Sequence, residues 1–138
     1  MPRLFVSALS TVALLVSAAS AAPPPVDVDP THVQFGSHPY ETETKKSFTV
    51  TNRSSEAVLV FVEQVFVGDD FSPGQIESTC PLTESSTLLP GASCTHVVGF
   101  RPSAFFGGHE TATMRVIVRD VAGNTIYTRD VRLSGRGF

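Results

Sequence analysis

From Val33 onward the chain alternates short apolar–polar runs with clusters of turn residues. Ser47-Phe48-Thr49-Val50-Thr51 places Phe48 and Val50 on one face of an extended segment, and Asn52-Arg53-Ser54-Ser55 supplies a turn behind it. Ala57 to Val67 is β-branched and aromatic, interrupted only by Glu63-Gln64. Both of its registers are apolar, which predicts a strand covered on both faces or paired to something else. His96, Val98 and Phe100 share one face of the next strand. Met114, Val116 and Val118 share a face of another, with Arg115 and Arg119 opposite, and Val131 and Leu133 mark the last strand before Gly135-Arg136-Gly137-Phe138. Beyond residue 21 no stretch of about eleven residues combines helical periodicity with caps. Short strands spaced by Gly and Pro predict an all-β sandwich or barrel.

Length and composition narrow this further. The 138 residues suit one domain, and ten Gly with ten Pro fit many turns. A net charge of −3 gives no general attraction to nucleic acid or anionic lipid, so no nucleic-acid partner is expected. Arg3, the apolar run Leu4 to Ala19 and the small-x-small Ala19-Ser20-Ala21 read as a signal peptide over residues 1–21. Ser7, Ser10, Thr11 and Ser17 dilute the run and no Lys/Arg cluster follows it, so no membrane insertion is expected after cleavage. Pro23-Pro24-Pro25 opens an extended, Pro-rich lead-in over residues 22–30, and the domain is expected over 31–138. Export to a secreted or periplasmic location places Cys80 and Cys94 where an even count implies a disulfide, closing a loop of about fifteen residues worth roughly 3 kcal/mol. Pro90-Gly91 within that loop suits the centre of a type II turn. A nucleophilic or metal-binding thiol is the alternative.

Val33-Gln34-Phe35-Gly36, Phe48-Thr49-Val50-Thr51-Asn52, Gly68-Asp69-Asp70-Phe71, Cys80, Leu89-Pro90-Gly91-Ala92-Ser93-Cys94, Phe100-Arg101-Pro102 and Leu133-Ser134-Gly135-Arg136-Gly137 occur in that order. Together they resemble the bacterial ASH/hydin-like immunoglobulin domains known as choice-of-anchor D, relatives of the major-sperm-protein fold. The resemblance spans roughly residues 31 to 138. It implies an immunoglobulin-like antiparallel β-sandwich of seven or eight strands, a disulfide between the two matched cysteines and a non-enzymatic role.

The residues agree on the last point. No phosphate-binding loop, nucleophile elbow, C-x-x-C or H-E-x-x-H pattern occurs, and Thr113 stands where His109-Glu110 would need its second histidine. Asp69-Asp70 reads as a solvated turn, its two carboxylates aimed to different sides. Asp27-Val28-Asp29 lacks the oxygen count for calcium. Asn52-Arg53-Ser54 satisfies the glycosylation sequon but reads as a turn.

Three features point to contact chemistry. Phe105-Phe106 precedes Gly107-Gly108, and adjacent extended residues face opposite ways, so one ring is expected outside as an interface anchor, Phe106 the more exposed. Cys94 and His96 share a strand face. With Cys80 they form the alternative reading, an extracytoplasmic metal-handling site if the thiols were reduced, against a histidine at the core rim with one satisfied hydrogen bond. Charge is also uneven: ten acidic and three basic residues lie between Ala22 and Glu84, three acidic and six basic after Ser85. Arg115, Arg119, Arg129, Arg132 and Arg136 would form a basic face on the last two strands, steering an acidic partner or surface glycan, unless they pair with Asp120 and Asp130. The candidate interface is therefore Phe105, Phe106, Arg115, Arg119 and Arg132. The expectation is a non-catalytic module that binds a protein or cell-surface partner and needs no cofactor.

Overall fold

The computed structural model describes residues 22–66, 68–74, 77–81, 86–105 and 107–138. They form nine strands and no helix: β1 (Val26–Asp29), β2 (His32–His38), β3 (Thr44–Asn52), β4 (Val58–Phe66), β5 (Phe71–Pro73), β6 (Ser86–Leu88), β7 (Ser93–Phe100), β8 (Gly108–Arg119) and β9 (Thr125–Gly137). Two sheets face each other, one ordered β1-β3-β7-β5 and the other β2-β9-β8-β4-β6. Period-two burial builds the core. Val26, Val28, Phe48, Val50, Val98 and Phe100 face it from the first sheet, and Val60, Val62, Met114, Val116, Val131 and Leu133 from the second.

Three details depart from the sequence reading. Nine strands replace seven or eight, because β5 and β6 are three-residue pieces and the start of the chain contributes two strands. Residues 26–29 pair antiparallel with β3 and bury Val26 and Val28, so part of the Pro-rich lead-in is built into the sandwich. At Pro30 the chain crosses to the other sheet, where β2 runs parallel to β9, so the sandwich is not wholly antiparallel. The apolar run of β4 is also explained. Val58, Val60 and Val62 enter the core, while Leu59 and Phe61 are half-buried on the outer face, with the Arg119 guanidinium 4.8 Å above the Phe61 ring.

The segments that carry the family resemblance converge on packing. Phe35, Phe71 and Phe100 form an aromatic cluster with centroids 4.8–5.8 Å apart. A Cβ on Gly135 would sit 2.5 Å from the Phe100 ring, which explains a glycine there. Gly91 at φ 78° centres the Leu89–Ala92 turn, closed by the Ala92 N–H donating to the Leu89 carbonyl at 2.9 Å.

Candidate interaction surfaces

Cys80 and Cys94 are joined, with Cα atoms 5.0 Å apart, and both are buried. The metal-handling set of Cys80, Cys94 and His96 needs thiolates, and both sulfurs are committed to each other. His96 shares the Cys94 face as expected but is not at a rim. It is fully buried beside Phe48, and neither ring nitrogen has a hydrogen-bond partner among the described residues. Burial pushes its pKa down to about 4, so the ring is neutral in the fold. β7 forces this position inward between Cys94 and Val98.

Asp70 corrects a second reading. It is buried, not solvated: its Oδ2 accepts from the Ser103 N–H at 2.8 Å, and its carbonyl accepts from the Arg101 N–H at 2.8 Å. Glu110 projects inward from β8 toward it. Burial raises the Glu110 pKa to about 7, helped by a hydrogen bond to Asp70 and by the Asp70 and Asp69 charges. Asp70 thereby clamps the 101–103 loop through its own carboxylate and carbonyl, while Glu110 Oε1 is buried with no hydrogen-bond partner among the described residues. The sequence signal was the inward parity of Glu110 with Ala112 and Met114.

That clamp, the Arg101–Glu41 ion pair at 2.8 Å and the Glu41 N–H donating to the Pro102 carbonyl fix the base of the following loop. Its tip presents Phe105, which is 94% exposed. Phe106 lies outside the described residues.

Arg115, Arg119, Arg132 and Arg136 all project from the outer face of the second sheet, in different surroundings. Arg115 Nε binds Asp130 Oδ1 at 2.8 Å, with Glu63 at 3.8 Å, and these carboxylates raise its pKa. Arg119 lies over Phe61. Asp120 instead caps its own turn, accepting from the Asn124 N–H at 2.9 Å. Arg132 and Arg136, both exposed on the outer face of β9, have no carboxylate partner among the described residues. His32, Gln34, Ser37 and His109, which sequence reasoning did not single out, join Arg136 around a shallow groove of about 380 Å³.

β9 carries another feature the sequence hid. Its pairing with β2 begins only at Arg132, whose N–H donates to the Thr31 carbonyl at 2.9 Å. Backbone groups alternate sides along a strand, so Thr128 and Asp130 point theirs the same way, where no strand of the described residues lies. β1 has left for the other sheet at this level. Among the described residues, the half-strand Thr125–Val131 is thus bonded on its β8 side alone. Beside its start lies a hollow of about 370 Å³ lined by Pro25, Ala57, Val58, Val121 and Ile126 among others. Val121 is 74% and Ile126 48% exposed.

No family model matches the chain, and neither does any curated protein. Solved structures do. The ASH/PapD-like domain 7 of human CEP192 superposes with a TM-score of 0.67 at 14% identity, covering 99% of this chain and 98% of that one. The Caenorhabditis elegans MSP-domain-like protein SSP-19 gives 0.56 at 11% identity, covering 79% and 97%. The Vibrio cholerae VesB protease gives 0.61 at 21% identity, covering 81% of this chain but 32% of that one. The fold is therefore the immunoglobulin-like ASH/MSP sandwich, and at these identities the likeness concerns fold alone. No helix among the described residues is long and apolar enough to cross a membrane.

Proposed function

We propose that this chain is a secreted or periplasmic, non-catalytic module that binds a protein partner by strand addition to the first half of β9. One observation carries the reading: the unpaired backbone side of Thr125–Val131. A row of free N–H and C=O groups is a template for an extended segment, which gains ladder hydrogen bonds there whatever its side chains. The hollow at Val121 and Ile126 offers selectivity by taking an apolar side chain of the added strand. The leader pattern and the buried disulfide support an extracytoplasmic location. The fold occurs alone in SSP-19 and within a larger protease chain, so the non-catalytic reading is supported by the residues: the buried carboxylate, Asp70, is used to hold the 101–103 backbone.

Phe105 marks a second contact site at the opposite end of β9, about 40 Å away at strand rise, since Gly107 and Gly137 both border Tyr40. Affinity capture from host envelope and culture extracts separates the two. Thr128→Pro deletes an unbonded N–H, so it is tolerated in the fold but blocks strand addition. Phe105→Ser removes the exposed ring. The proposal expects the partner to be lost with Thr128→Pro and retained with Phe105→Ser; the reverse pattern rejects it.

A further inference from the structure

On the outer face of the second sheet, three register rows cross β2, β9 and β8. His32 stands opposite Arg132, Gln34 opposite Ser134, and Ser37 opposite Arg136. Thr113, Thr111 and His109 continue the same rows onto β8. Two rows headed by arginine therefore flank a neutral row of amide and hydroxyl groups, and the arginines lie about 13 Å apart along the strand. Among the described residues that line the groove beside Arg136 there is no carboxylate. Asp130, on the same face, is held by Arg115, and Glu110 points into the sandwich.

Side chains along the groove already contact one another: Gln34 Nε2 lies 3.4 Å from His32 Nδ1, and His32 Nε2 lies 2.9 Å from Ser134 Oγ. Gly36, at φ 78° in the β2 bulge, has nothing within 4 Å of a would-be Cβ, which leaves a notch in the groove wall.

We propose that this groove binds an acidic saccharide, with a uronate carboxylate on Arg136 and sugar hydroxyls on Gln34, Ser37 and Ser134. The charge calls for an anion, and a planar carboxylate matches the guanidinium fork. The neutral row of mixed donors and acceptors suits a polyhydroxylated ligand. A peptide finds no ladder hydrogen bonds here, because this is the side-chain face of the sheet. The volume of about 380 Å³ lies within the range of small-molecule sites. The site is separate from the β9 edge and stands or falls independently of strand addition.

The test is a titration of the oxidised protein, followed by amide NMR, with trigalacturonate, its methyl ester, a sulfated heparin trisaccharide and a tri-glutamate peptide. Trigalacturonate is expected to bind and to shift the Ser37, Ser134 and Arg136 amides. Arg136→Gln and Gln34→Ala are each expected to weaken it at least tenfold, with an unchanged melting temperature and with Thr128→Pro as a binding-competent control. The methyl ester is expected not to bind. Equal binding of the glutamate peptide, tighter binding of the sulfated sugar, no binding of trigalacturonate, or affinity unchanged in both groove variants overturns the proposal.

Discussion

Asn52 Nδ2 donates to the Leu88 carbonyl at 2.8 Å, tying the end of β3 in one sheet to β6 in the other. The same amide donates to the Glu56 carbonyl at 2.8 Å, and its Oδ1 accepts from the Ser54 N–H and hydroxyl. The residue is fully buried with every polar atom used, so the sequon at Asn52 is a structural tie. A glycan on Nδ2 would replace one of its two hydrogens and so break at least one of these hydrogen bonds.

Asn52→Asp turns the donor toward two carbonyl oxygens into an acceptor. Leaving buried carbonyls unpaired beside a new charge is expected to cost about 3 kcal/mol or more, against about 2–3 for Asn52→Ala. Urea unfolding of the oxidised protein measures both, and a loss below about 1 kcal/mol for Asn52→Asp would show that the tie is not used.

The pH dependence of stability divides between two groups of opposite sign. His96 has a folded pKa of about 4 against an ordinary 6.5, so the unfolded chain binds its proton first. Its contribution is complete above pH 6.5 and is lost as the pH falls to 4, an interval worth about 3 kcal/mol. His96→Leu removes this acid limb and two unpartnered buried nitrogens. It is expected to melt no lower than wild type at pH 7 and higher at pH 4.5, as read by thermal scans at both values.

Glu110 runs the other way. Its folded pKa of about 7 lies above the ordinary 4.5, so the fold holds the proton longer than the unfolded chain. Stability falls as the pH rises from 4.5 to 7, and the loss is complete above 7. Glu110→Gln keeps a hydrogen-bond donor for Asp70 without the ionisation. Its melting temperature is expected to exceed wild type at pH 8 and to match it at pH 4.5; equal values at pH 8 would count against the raised Glu110 pKa.

Alternation alone made the sandwich legible: Phe48 and Val50, His96 and Val98, and Met114 and Val116 all face inward where period two put them. Cysteine parity yielded the disulfide, and Pro90-Gly91 its turn. What stayed hidden depends on pairing between distant strands. Nothing local to Val26–Asp29 says that it joins β3 before Pro30 sends the chain to β9, and the free half of β9 exists only because of that crossing. Asp70 looked like a turn residue because its partners, Ser103 and Glu110, lie more than thirty positions away. The arginines were visible as a set, but register alone decided that Arg115 meets Asp130 while Arg132 and Arg136 have no carboxylate partner among the described residues.

Edge blocking also carries its own control. Arg129 alternates with Thr128 and Asp130, so its N–H faces β8. Arg129→Pro removes a ladder bond and is expected to cost about 3 kcal/mol, whereas Thr128→Pro is expected to stay within about 1 kcal/mol of wild type. Unfolding curves that rank the two otherwise would place the open side of β9 wrongly.

Strand addition is tested most directly by amide hydrogen exchange at Thr128 and Asp130, in the free protein and in complex with the captured partner. Both amides are expected to exchange fast when free and slowly in the complex, while the Arg132 amide, already bonded to Thr31, is protected in both. Fast exchange at Thr128 and Asp130 in a saturated complex would contradict the proposal.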